Sequence, residues 1–111
     1  GDVDVVVSQF KELLRSMPGI VFRFAEIRQK LPVFPTDSKN DEFYPLRLYA
    51  GNNLRIMISE VRCGYHGAST DAMIECLKLA GFAPKQSIID TIYNEGNVKI
   101  TLYNEKVANR Y

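Results

Sequence analysis

The chain holds no tryptophan, one histidine and two cysteines, and its charges nearly cancel. Each scarcity removes a class of function. Two cysteines do not make the disulfide framework of a small secreted domain, so reduced thiols and a cytoplasmic or nuclear setting are expected. With a single histidine, Cys63, His66 and Cys76 lack a fourth zinc ligand, and their spacing matches no structural zinc pattern. Fourteen basic residues against thirteen acidic ones leave a net charge of +1. That balance removes the blanket attraction on which non-specific nucleic-acid binders depend, although a local patch is still allowed. No apolar run approaches the ~18 residues a spanning helix needs, so no membrane partner is expected. Gly1 in place of Met leads us to expect a piece cut from a longer protein.

What is present is ordinary globular composition, 46% apolar and 24% charged over 111 residues. This predicts one domain, large enough to bury roughly two-thirds of its unfolded surface. The clearest element is a helix over 69–80. Met73, Cys76, Leu77 and Ala80 recur at i, i+3, i+4 and i+7, which makes one apolar stripe. Ser69 or Thr70 suits its N-cap, and Gly81 suits the left-handed residue just past its end.

Around that helix the chain divides into three parts: 1–34 mostly helical, 35–42 a loop, and 43–104 hairpin, helix, hairpin. Val6, Phe10, Leu13, Leu14 and Met17 predict a helix from Asp2 to Met17, ended by Pro18-Gly19. Ile20 to Leu31 fits a short extended piece that turns helical at Phe24. The stretch PTDSKNDE, 35–42, is polar and rich in turn formers. Leu46, Leu48 and Ala50 alternate with Arg47 and Tyr49, and Leu54, Ile56 and Ile58 alternate with Arg55 and Met57. With Gly51-Asn52 between them they read as a hairpin, and 53–61 is taken as strand in preference to helix. Ser87 to Tyr93 and Val98 to Tyr103, around Asn94 to Asn97, read as a second hairpin. Asn104 to Tyr111 is a frayed extension or a short helix. The expected fold is therefore α+β, a two-layer arrangement in which N-terminal helices and the 69–80 helix pack on an antiparallel sheet of two hairpins.

No paired acid and base, metal set or phosphate loop is legible, so we expect no enzyme, no cofactor and no metal. Cys63 and His66 lie three residues apart in one loop, with no third group to orient the imidazole. Recognition surfaces are easier to name. Arg47, Tyr49, Arg55 and Met57 fall on the outward rows of the first hairpin, with Arg62 just beyond, a composition enriched at protein interfaces. The primary expectation is a non-catalytic protein-binding module of a larger intracellular protein or assembly. A homodimer through a sheet edge is also open.

The alternative is single-stranded RNA binding through Gly64, Tyr65, His66 and Gly67. From Gly64 onward the order G-x-x-G, helix, strand, turn, strand resembles the KH family, in which such a loop clamps the sugar-phosphate backbone. On element order alone, Phe43 to Tyr103 also resembles the ubiquitin-like β-grasp, some members of which bind small GTPases or other partners through an exposed edge strand. The basic N-terminal part followed by a hairpin resembles the start of a winged-helix DNA binder as well.

Overall fold

The computed structural model describes residues 2–30, 44–51 and 53–108. The loop expected over 35–42 lies outside them. The elements run α1 (Asp2–Ser16), β1 (Phe22–Gln29), β2 (Leu46–Ala50), β3 (Arg55–Ile58), α2 (Ala68–Leu79), α3 (Gln86–Asn94), β4 (Val98–Tyr103) and α4 (Glu105–Ala108). The four strands form one antiparallel sheet in the order β3-β2-β1-β4. Helices lie against one of its faces, which makes the fold α+β.

The core is the layer between that sheet face and the helices. Phe22, Ala25 and Ile27 of β1 and Leu46 and Leu48 of β2 meet Val6 and Phe10 of α1, Met73, Cys76 and Leu77 of α2, and Ile92 of α3. All of them are 6% exposed or less. The expected stripes of α1 and α2 supply this layer. At its C-terminus α2 closes as its sequence suggests. Gly81 takes φ +98, its amide donates to Lys78 O and the Phe82 amide donates to Leu77 O, which satisfies two carbonyls that the helix leaves over. Its start differs from expectation. Gly67 is the N-cap, and Ser69 and Thr70 are buried inside the first turn.

Two segments take the other secondary structure. Phe24 to Gln29, expected as helix, continues β1 as strand. A register shift between Phe22 and Phe24 explains the misreading, because it puts Phe22, Ala25 and Ile27 on the core face and breaks simple alternation. Ser87 to Tyr93, expected as the first arm of a second hairpin, is the helix α3. Ile88, Ile89, Ile92 and Tyr93 turn one side inward at helical spacing. The sheet therefore contains one local hairpin, β2-β3, and β4 pairs with β1. In the β2-β3 turn Asn53, not Gly51, carries the positive φ. The segment 53–61 supplies strand β3, as preferred. The element order on which the KH and β-grasp resemblances rest is not the one found, since a helix follows α2.

Among the described residues, this topology leaves the second sheet face without helices. β3 forms one edge, the chain crosses the core face as α2 and α3, and β4 closes the opposite edge.

Candidate functional site

Cross-strand register defines what the open face displays. One row runs Arg55, Tyr49, Phe24, Tyr103 across the four strands, and the next runs Met57, Arg47, Glu26, Thr101. Arg28 and Lys99 form a further pair. The Phe24 and Tyr49 rings stack with centroids 4.5 Å apart and planes 14° apart. Phe24 and Tyr103 lie at 6.3 Å and 42°. Tyr103 is 68% exposed, the highest value among the large hydrophobic side chains that remain open to solvent. Beside this row a hollow of about 570 Å³ is lined by Arg23, Phe24, Tyr49, Gly51, Leu54 and Arg55, among others.

The structure thus gathers Arg47, Tyr49, Arg55 and Met57 on one face, as the alternation predicts, but gives them unequal roles. Arg55 is exposed and Tyr49 is partly so. Arg47 is only 2% exposed, an outward position that is nonetheless buried. It sits on a central strand between Glu26 and Met57, and its Nε donates to Tyr44 O at 3.4 Å. Arg47 is therefore held within the scaffold, with little surface open to a partner. Reversing its charge would set a carboxylate beside Glu26 in a water-poor position and unsettle the fold. Arg62 follows β3 in a loop where its amide donates to Ser69 O, outside the sheet rows. Phe24, Tyr103, Arg28 and Lys99 also stand on this face, a placement that sequence reasoning misses. The first reads as helix, and the partnership of β1 with β4 joins residues about two-thirds of the chain apart.

The 64–67 loop is occupied by the protein itself. Gly64 has φ +92, and a Cβ there would come within 2.7 Å of Gly96 Cα. Its amide donates to Ile92 O at 2.8 Å. A Cβ on Gly67 would run into the Tyr65 ring, whose hydroxyl is hydrogen-bonded to Ser69 Oγ. The close approaches that glycine permits are thus made to Gly96 and Tyr65. His66 stacks on Tyr93 at 4.9 Å, with its Nε2 3.0 Å from Asn94 Oδ1. Tyr93 donates to Asp71 Oδ1 at 2.6 Å, and this bond, with lesser help from burial and the nearby charge, raises its pKa. The loop is tied to α3 and to the start of α2.

Comparison of the chain with protein-family models, with curated proteins and with solved structures finds no match.

Cys63 and Cys76 are free, buried thiols. Burial pushes Cys63 up to about 12, and burial together with the Glu75 charge pushes Cys76 up to about 11. Both therefore stay protonated and weakly nucleophilic near neutral pH. Gln29, 4% exposed, spans Cys63 and the next turn. Its Nε2 donates to Cys63 O at 3.0 Å and to Gly96 O at 2.9 Å, and its Oε1 accepts from the Cys63 amide at 3.0 Å. Among the described residues no group of three His, Cys, Asp or Glu is placed to hold a metal ion, and no helix is long and apolar enough to cross a membrane.

Proposed function

We propose that this chain is a non-catalytic recognition module that engages its partner with the open face of the sheet. One observation carries the reading: the face turned away from the helices displays the Phe24-Tyr49-Tyr103 row beside Arg55, with Tyr103 68% exposed. Aromatic side chains with arginine make up the composition that binding surfaces favour, and packing of the core has no use for them there. The chemistry of the loop supports the non-catalytic part. His66 is engaged by Asn94 and Tyr93, and Cys63, the sole thiol near it in sequence, is held protonated. Two free buried thiols accord with a cytoplasmic or nuclear setting, within a larger protein or assembly.

The test uses the tagged full chain as bait in cell lysate, with Arg55→Glu/Tyr103→Ala beside it. The double variant should lose the partners that the native chain retains while unfolding at the same urea concentration. Retention of every partner would move the site off this face.

A further inference from the structure

We infer that the partner of the open face is a single-stranded nucleic acid, its bases stacked against the Tyr103 end of the aromatic row and its phosphates held by Arg55 and Lys99. This rests on the open-face reading and goes further by naming the ligand's chemistry. Two independent features point to it.

The first is charge. Among the described residues, the rows of this face carry Arg28, Arg55 and Lys99, besides the buried Arg47, and the acidic Glu26. The whole chain has an excess of only one positive charge. Among the described residues, the basic positions of these rows therefore outnumber the acidic ones. Arg28 and Lys99 stand directly opposite each other on β1 and β4, an arrangement that costs stability in the free protein. Glu26 relieves it weakly, its Oε2 lying 4.0 Å from Arg28 Nη1. An anion bridging Arg28 and Lys99 would remove that repulsion. Arg55 lies at the other end of the face, beside the hollow. Arg28 is four residues along β1 from Phe24, about 13 Å at the rise of an extended strand, so the Arg28-Lys99 pair lies to one side of the ring row, with Arg55 in the row itself.

The second is the rings. Phe24 and Tyr49 largely stack on each other, whereas Tyr103 has most of its surface open at the edge strand. An acidic peptide would satisfy the charges and would need apolar side chains placed among its carboxylates to cover the ring. A strand of unpaired nucleotides satisfies both, because it repeats a negative charge and a planar ring at every residue. Duplex DNA or RNA matches less well, since its bases are already stacked.

Anisotropy titration of the full chain with a fluorescein-labelled, mixed-sequence single-stranded RNA, and with its DNA equivalent, tests this. Binding should be measurable at low salt and weaken as salt rises. Tyr103→Ala should weaken it about ten-fold or more. Arg55→Ala/Lys99→Ala should lower both the affinity and the slope of log K against log salt, by about 0.7 for each phosphate no longer neutralised. Equal binding of duplex, an unaffected Tyr103→Ala variant, or no binding at low salt would each overturn the inference. In the last case the lysate experiment separates the two claims. If Arg55→Glu/Tyr103→Ala still loses a protein partner, the open face remains the site and only the nucleic acid is wrong. If it loses nothing, both fail.

Discussion

Gly19 and Gly64 hold nearly the same backbone angle, φ +86 and φ +92, in opposite surroundings. A Cβ on Gly19 would have nothing within 4 Å, whereas one on Gly64 would meet Gly96 Cα at 2.7 Å and Gly96 N at 2.9 Å. Alanine at either site carries similar backbone strain, so the difference between the two isolates the steric clash. Gly64→Ala should cost about 2 kcal/mol more than Gly19→Ala in urea unfolding. Equal losses would mean that the 64–67 loop can step away from the α3-β4 turn. The same scale shows what a sequence hides. Gly64 is visible as a glycine in a G-x-x-G pattern, yet whether its bare face turns toward a ligand or toward Gly96 depends on a residue distant in the chain. Arg47 is similar: alternation places it on the outward row, but burial on a central strand is a property of its neighbours.

Elements are legible where one local signal runs without competition. The stripes of α1 and α2, the Gly81 stop and the β2-β3 hairpin can be read directly because spacing and end signals agree. α3 cannot, since its isoleucines and its Thr91 favour strands on propensity, and only packing of Ile92 into the core settles the choice. β1 is obscured by its register shift. Beyond the apolar core, one polar side chain links several of these elements. Gln29 ends β1 and ties the loop before α2 to the turn before β4, through Cys63 and Gly96. Gln29→Ala should cost about 3 kcal/mol, because it strips partners from sheltered backbone groups. It should also speed hydrogen exchange at the Cys63 amide. Gln29→Glu replaces the acceptor but neither donor bond, and should fail to restore stability. A loss under ~1 kcal/mol for Gln29→Ala would show that water takes the glutamine's place.

At the scale of the whole molecule, the sheet divides stability from recognition. Its helix-covered side holds Leu48 at 0% exposure, and its open side holds Tyr103 at 68%. Leu48→Ala should cost about 3 kcal/mol, through forfeited transfer energy and the cavity left behind. Tyr103→Ala should shift stability by no more than ~0.5 kcal/mol, as open surface positions do. Denaturation curves of the two variants check this directly. A large loss in Tyr103→Ala would mean that the ring is structural and that a binding defect in this variant reflects a damaged fold. This division is legible in the sequence only in part. The composition points to one domain and the patterning to α+β, but the face left open follows from β4 pairing with β1, and no local pattern announces that pairing.

That pairing also sets an order of events. β1 gains its first neighbour, β2, from the strand that follows it in the chain, but its second, β4, is the last strand of the sheet to be made. Pairings between points so far apart form slowly, because the intervening chain must be restrained before they contribute. During synthesis the backbone donors and acceptors of β1 on that side have no strand to meet until Val98 to Tyr103 has emerged. An unpaired margin of this kind invites pairing with another copy of the chain. A chain paused before Val98 therefore carries β1 with one margin unmatched, on a strand destined for the middle of the sheet.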